Sequence, residues 1–157
     1  MIVAPPRELC YSYSMLQALL ALTATALFTG AAWYISIAEH PARMGLPDAA
    51  ALAQWKPSYH RAAFMQAGLA IVGAVFGFWA WVQWRDPWLL AGALLILSVV
   101  PFTLIVIIPT NKKLEAITPE QAGPEARSLL ERWGRLHWVR NLLSAAALAA
   151  FLLALSR

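Results

Sequence analysis

The chain has 157 residues, of which 61% are hydrophobic and 13% are charged. A soluble domain has roughly 45–50% apolar and about 25% charged residues, so this composition indicates a membrane protein. The net charge of +4 does not indicate nucleic-acid binding, because no basic stripe or known nucleic-acid-binding module accompanies it. The single cysteine, Cys10, excludes an internal disulfide, and no Cys/His cluster predicts a thiolate metal site.

Four membrane spans are predicted in chain order, within one membrane domain that covers residues 1–157. Three long stretches carry no charge, and each reaches the roughly 20 residues that a helix needs to cross a bilayer. A fourth stretch carries Arg140 one turn inside its start, where an arginine can reach the interface. The approximate spans are 14–38, 62–84, 88–110 and 136–155. The sequence therefore predicts an all-α transmembrane four-helix bundle, with cleavage of the first stretch as a signal peptide kept as an alternative.

Basic residues are concentrated in two of the three predicted loops. Loop 39–61 contains three Lys and Arg residues, and loop 111–135 contains five. Because Lys and Arg next to spans are retained in the cytoplasm, we expect both loops to be cytoplasmic. The prediction is a multi-pass protein of a bacterial inner membrane with both termini outside the cytoplasm.

The second of these loops predicts a short amphipathic helix at the membrane interface, directly before the fourth span. It begins near Pro124, and its apolar positions recur with helical spacing. The apolar stripe consists of Leu129, Leu130, Trp133 and Leu136.

Glycines and prolines inside the spans predict local features of the bundle. Gly73 and Gly77 form a GxxxG pair, at which two helix backbones can approach closely. Pro101 predicts a kink in the third span, and Pro109 predicts its end.

Polar residues are predicted to meet at one face of the membrane. The end of the first span, the start of the second, the end of the third and the start of the fourth all lie at this face. Gln66 is notable because an amide inside an apolar span needs partners, either on another helix or in a pocket. The candidate site residues are His40, Arg43, Tyr59, Gln66, Asn111, Trp133, His137, Arg140 and Asn141.

Spacing strengthens this expectation for the fourth span. Trp133, His137, Arg140 and Asn141 are separated by i, i+4, i+7 and i+8, so they share one helical face. Exposing that face to lipid is costly, so we expect it to face inward. There His137 can act as a base or a ligand, and Arg140 can stabilise negative charge. Alternatively, Arg140 pairs with Glu39 or a lipid phosphate, and His137 lies at the interface.

Two histidines on different helices offer a further possibility. His40 and His137 could share a metal ion or hold a haem between helices. No HxxxH or Glu-x-x-His pattern is present, and two histidines alone do not define a coordination sphere. The sequence therefore assigns no metal site, and haem or metal binding remains an alternative.

Four polar runs at these helix ends resemble the anthrone oxygenase-like family of four-span membrane proteins. They are EHPAR at 39–43, WKPSYHRAAFMQ at 55–66, PFTLIVIIPTNKKL at 101–114 and RWGRLHWVR at 132–140. The resemblance covers nearly the whole chain. It implies an oxidoreductase that uses molecular oxygen as co-substrate to oxidise an anthrone or quinone-like compound, without a firmly implied cofactor.

The resemblance also implies roles for residues in these runs. A base would remove a proton from the substrate, and the resulting anion would reduce oxygen directly. By motif position the base is His137 or His40, the residues that hold the phenolate-like oxygen are Arg140, Arg43 and Asn111, and those that orient the ring are Tyr59 and Gln66. The expected partners are the lipid bilayer and a hydrophobic small molecule. A non-catalytic binder or transporter of a lipophilic compound is the alternative of a different class.

Overall fold

The computed structural model describes the backbone of residues 7–157 and the side chains from Met15 onward. Helices make up almost all of this part of the chain. The α-helices are α1 (Arg7–Tyr34), α2 (His40–Met44), α3 (Asp48–Trp84), α4 (Pro87–Phe102), α5 (Ile108–Ala116) and α6 (Pro124–Leu155). Two π-helical segments, Ile35–Glu39 and Thr103–Ile107, connect α1 to α2 and α4 to α5 without a break, and a 3-10 turn at Pro119–Gln121 precedes α6.

Four of the resulting helical rods are long and apolar enough to cross a membrane. Their bounds are Met15–Met44, Asp48–Trp84, Pro87–Ala116 and Pro124–Leu155. The predicted all-α four-helix membrane bundle is confirmed, and the chain is a multi-pass membrane protein. Each rod is longer than the span predicted for it. A 37-residue helix such as α3 is about 55 Å long and therefore extends well beyond a hydrocarbon core of about 30 Å.

The rods form a ring in which α3 packs against α1 and α4, while α6 packs against α4 and α1. Small residues allow this close packing. A Cβ atom at Gly73 would lie 2.8 Å from Oγ1 of Thr25, and one at Gly77 would lie 2.7 Å from Cζ of Phe151. The two glycines of the GxxxG pair thus face different neighbours, α1 and α6. The Phe151 ring also contacts Gly92, so it is held between two helices that carry no side chain at these positions.

The two π segments share a local cause. The N–H of His40 bonds to the carbonyl of Ile35, and the N–H of Ile108 bonds to the carbonyl of Thr103, five residues earlier in each case. Each segment ends two residues before a proline, Pro41 or Pro109. A proline ring clashes with the carbonyl four residues before it, and a wider turn moves that carbonyl aside.

The prediction that the helix of the third span ends at Pro109 is consequently wrong. Pro109 is the second residue of α5, which continues to Ala116. Pro101 lies in the last turn of α4, just before the second π segment begins at Thr103, and the kink at Pro101 stays a prediction.

The prediction of a separate interfacial helix before the fourth span is also wrong. Residues from Pro124 onward belong to α6, which continues to Leu155. The predicted apolar stripe packs on protein, since Leu130 and Trp133 are buried together with Leu52 and Trp55 of α3. An apolar stripe has the same spacing whether it faces a membrane surface or a neighbouring helix, so the pattern alone does not separate the two.

Candidate functional site

A cavity of about 190 Å³ lies between α3 and the rod that contains α4, the second π segment and α5. The backbone of α3 packs closely against α4 and lies farther from the second π segment and α5. The space between them is closed at the back by residues of α1 and α6. Its wall is mostly apolar, and its polar lining residues are Ser58, Tyr59, Gln66, Thr103, Asn111, Trp133, His137 and Arg140.

Arg140 and Gln66 form the buried polar contact of this cavity. Nη2 of Arg140 donates a hydrogen bond of 2.5 Å to Oε1 of Gln66, and the two residues are only 8% and 2% exposed. The guanidinium also lies 5.3 Å from the centre of the Phe28 ring, within reach of a cation–π interaction. Gln66 therefore restrains an arginine that would otherwise have several rotamers in an apolar space.

His137 lies beside Arg140 on the same face of α6. Nε2 of His137 is 3.5 Å from Nη1 of Arg140. A guanidinium only donates hydrogen bonds, so this arrangement favours the tautomer with an unprotonated Nε2. On its other side the imidazole packs on Trp133, with ring centres 3.7 Å apart.

Several buried polar atoms of the lining residues have no hydrogen-bond partner. They are Nε2 of Gln66, Nε of Arg140, Oδ1 of Asn111 and Nε1 of Trp133. Buried polar groups are normally paired, with protein, water or ligand. Two of these residues, Gln66 and Arg140, are also the pair that bonds across the cavity wall.

A second polar cluster is built around Arg43, which does not line the cavity, and it shares Ser58 with the lining. Arg43 is 2% exposed, and it donates to Glu39 at 2.5 Å and also to Gln54. Ser58 donates to the same Glu39 oxygen. The Arg43 guanidinium lies 5.5 Å from the centre of the Trp133 ring. Arg43 therefore contacts a residue of the cavity wall but does not line the cavity itself.

His40 belongs to this second cluster. Its Nδ1 is 3.5 Å from Nη1 of Arg43, and its ring centre is 5.3 Å from that of Trp133. The ring rests on Gly134, where a Cβ atom would lie 2.3 Å from Nε2 of His40. Trp133 thus contacts both His40 and His137.

The structure brings together six of the nine predicted site residues as cavity lining and separates three from it. His40 and Arg43 lie behind Trp133, and Asn141 is fully buried with neither side-chain amide atom paired. Arg140 bonds to Gln66, whereas Glu39, the alternative partner in the sequence, bonds to Arg43. Sequence reasoning missed Ser58 and Thr103, because hydroxyl residues are common in helices and carry no spacing signal.

The histidines do not belong to a recognisable metal centre in the part of the chain that the structure describes. No group of three or more His, Cys, Asp or Glu side chains lies close enough there to hold a metal ion. The third histidine, His60, is at the surface and contacts Glu115 at 3.0 Å.

Comparison with known proteins identifies a family for this chain. The family model described as anthrone oxygenase matches residues 55–150. A protein of Claviceps purpurea (strain 20.1) described as anthrone oxygenase is 33% identical in an alignment 107 residues long, and the alignment covers 59% of this chain and 60% of that relative. The chain thus spans less than two thirds of the length of that relative. No solved structure matches the chain. The family model covers more than half of the residues and all of those that line the cavity from α3 to α6, and the chain belongs to the anthrone oxygenase family.

Proposed function

We propose that the protein is a membrane-embedded oxygenase that oxidises an activated methylene of a hydrophobic aromatic ketone, such as an anthrone, with molecular oxygen. The observation that carries this proposal is the pairing of His137 and Arg140 in one apolar cavity, with Arg140 restrained by Gln66. Family membership supports an oxygenase-like oxidoreductase. The substrate and the reaction path are argued below from the cavity itself.

The arrangement of His137 and Arg140 suits an anthrone. In such a molecule the methylene carbon and the carbonyl carbon occupy opposite corners of one six-membered ring. His137 and Arg140 are one helical turn apart, a separation of roughly 5–6 Å between Cβ atoms. A base and an oxyanion donor at this spacing can reach both ends of the same ring.

In the first step, Arg140 turns its Nη1 from His137 to the carbonyl oxygen of the substrate, and the freed lone pair of Nε2 of His137 removes a proton from the methylene carbon. The electron pair moves into the ring system, and negative charge develops on the carbonyl oxygen. Arg140 stabilises this charge with hydrogen bonds in a cavity from which most water is excluded, where such bonds are strongest.

In the second step, the carbanion transfers electrons to oxygen and a carbon–oxygen bond forms, giving a peroxide anion on the former methylene carbon. Protonated His137 returns its proton to this anion and yields a hydroperoxide. Removal of the remaining proton from that carbon breaks the oxygen–oxygen bond. The products are a second carbonyl group and one water molecule, so that both oxygen atoms and all four electrons are accounted for.

The test is oxygen uptake by the purified protein in lipid nanodiscs with dithranol, corrected for oxidation of dithranol without protein. We expect His137→Ala to lower the enzymatic rate by about 10²–10⁴-fold, the usual contribution of a general base. Arg140→Ala should lower it by about 10²–10³-fold, as for loss of an oxyanion donor.

Matched controls are His60→Ala and Arg61→Ala. Both side chains are exposed on α3, outside the cavity lining. They remove the same chemical groups from positions outside the lining. Arg61→Ala should keep the rate of wild type. His60→Ala removes a ring whose centre is 5.0 Å from that of Tyr59, and it should lower the rate far less than His137→Ala does. If the cavity variants and the surface variants have equal rates, the assigned site is wrong. Binding of dithranol without oxygen uptake by wild type would favour the alternative of a non-catalytic binder.

We also propose that the ends of the rods near Met44, Asp48, Ala116 and Pro124 face the cytoplasm, since the basic loops lie there. In a chain in which Cys10 is replaced by serine, a cysteine at position 122 should react with a membrane-impermeant maleimide only after permeabilisation. A cysteine at position 86, at the opposite end, should react without it. The reverse pattern would overturn the orientation.

A further inference from the structure

Four of the seven residues of α3 that line the cavity are alanines. Ala62, Ala63, Ala67 and Ala70 line the cavity together with Gln66. Their positions, i, i+1, i+5 and i+8, with the amide at i+4, describe one side of a helix. A run of methyl groups leaves a flat surface, and the cavity exists because no larger side chain fills this strip.

Gln66 interrupts this alanine strip with a hydrogen-bond donor of fixed direction. Because Arg140 can only donate, the oxygen of the Gln66 amide must be the atom that faces it. The amide nitrogen then points elsewhere, and it is buried without a partner. A ligand in the cavity that carries a carbonyl oxygen would satisfy it.

The cavity also has an opening on the outer surface of the bundle. Ala67 and Leu104 line the cavity and are at the same time exposed, so they mark its mouth between α3 and the second π segment. The neighbouring side chains Phe64 and Ile105 are 87% and 73% exposed. An apolar surface of this kind, on rods long enough to span, faces lipid.

We propose that the alanine strip with Gln66 is the specificity surface of the cavity. It selects a flat fused-ring ketone, which enters from the bilayer between Ala67 and Leu104, lies with its ring on the alanines, and accepts a hydrogen bond from Nε2 of Gln66. The proposal rests on the proposed function in taking the cavity as the substrate site, but its claim concerns binding alone.

The experiment measures equilibrium binding of two ligands in nanodiscs, anthraquinone and anthracene. They have the same fused rings, but only anthraquinone has carbonyl oxygens, and neither is turned over by the proposed reaction. Gln66→Glu keeps the acceptor for Arg140 and the size of the side chain, and it removes the N–H donor. We expect this variant to weaken anthraquinone binding by about tenfold, the effect of losing one buried hydrogen bond and leaving its acceptor unpaired, and to change anthracene binding by less than about twofold.

Ala67→Phe tests the strip and the mouth, and Ala67→Leu repeats the test with a smaller addition in case the first variant does not fold. Both should weaken the binding of both ligands by about tenfold or more, because the added side chain takes the space on the alanine strip that the fused rings would occupy. The control is Ala146→Phe, an exposed position of α6 outside the cavity lining, which should leave both affinities unchanged.

The outcomes separate this proposal from the proposed function. If wild type binds anthraquinone in preference to anthracene and Gln66→Glu loses the preference, the specificity surface stands even when dithranol is not oxidised. If dithranol is oxidised but Gln66→Glu and the Ala67 variants bind both ligands as wild type does, the specificity surface is wrong and the proposed function survives. Failure of wild type to bind anthraquinone overturns the specificity surface directly.

Discussion

The packing of Phe151 between Gly77 and Gly92 leads to a prediction about stability. In Gly77→Ala, the new Cβ atom would lie 2.7 Å from Cζ and 2.9 Å from Cε1 of Phe151. Ordinary van der Waals contact begins at 3.4 Å, so the ring would have to move by about 0.7 Å. It cannot move freely, because a Cβ atom at Gly92 would be only 2.8 Å from the same ring and Phe151 is fully buried.

Overpacking of this kind costs about 1–3 kcal/mol, although alanine has the higher helix propensity. For a chain of this length, that loss corresponds to a decrease of about 2–12 °C in the unfolding temperature. Helices in lipid associate mainly through such close packing, so the helix interface itself is what is weakened. The control is Gly30→Ala, where the added Cβ atom would meet nothing within 4 Å, and we expect no loss of stability there.

The assay is thermal unfolding in detergent, followed by helical circular dichroism. A double-mutant cycle with Phe151→Leu makes the test specific, because the smaller side chain leaves room for the new methyl group. Gly77→Ala should therefore cost less in the Phe151→Leu background than in wild type. Equal unfolding temperatures for Gly77→Ala and Gly30→Ala, or no coupling with Phe151, would refute this account of the packing.

Three further predictions concern the residues around the site. Gly134→Ala should displace the ring of His40, since its Cβ atom would lie 2.3 Å from Nε2, and a shifted NMR resonance of His40 with wild-type helicity would show it. Lys56→Met should free the carbonyls that its ammonium binds at the end of α5, at a cost of about 1–3 kcal/mol, and make residues 117–123 more sensitive to protease. Arg43→Met should leave Glu39 without its cation and lower the unfolding temperature. The double variant with Glu39→Gln leaves no unpaired carboxylate, so its unfolding temperature should stay near that of wild type.

The number of spans and the inward face of α6 could be predicted from the sequence because each depends on local pattern. A charge-free run of sufficient length is a span wherever it occurs, and the shared spacing of Trp133, His137, Arg140 and Asn141 survives in the regular helix α6. All four side chains are buried. Hydropathy does not show where a helix with a polar end begins. The start of α3 at Asp48, 14 residues before the predicted span, could therefore not be predicted from the sequence.

The hydrogen-bond partners of the two buried arginines could not be predicted, because spacing along the sequence does not give the distances between helices. Glu39 was a reasonable partner for Arg140, because both lie at the same end of the bundle. Arg43 is nearer, four residues away along the same rod, and Ser58 adds a second hydrogen bond to the carboxylate. Gln66 then remains for Arg140. Which of two acceptors an arginine takes is decided by the relative placement of three helices.

The two π segments have a consequence for how the length of this chain can vary. Each is a helix that contains one residue more than regular α-helical winding accommodates, and every residue of an α-helix turns the chain by about 100°. The wide turn absorbs this extra residue, so deleting one residue from Ile35–Glu39 would restore regular winding and leave His40 and Arg43 facing nearly the same way. A deletion in Thr103–Ile107 would do the same for Asn111. A deletion in regular helix would instead turn every later residue by about 100°. Single-residue gaps should therefore be tolerated at these two places, with the four spans and the lining of the cavity kept.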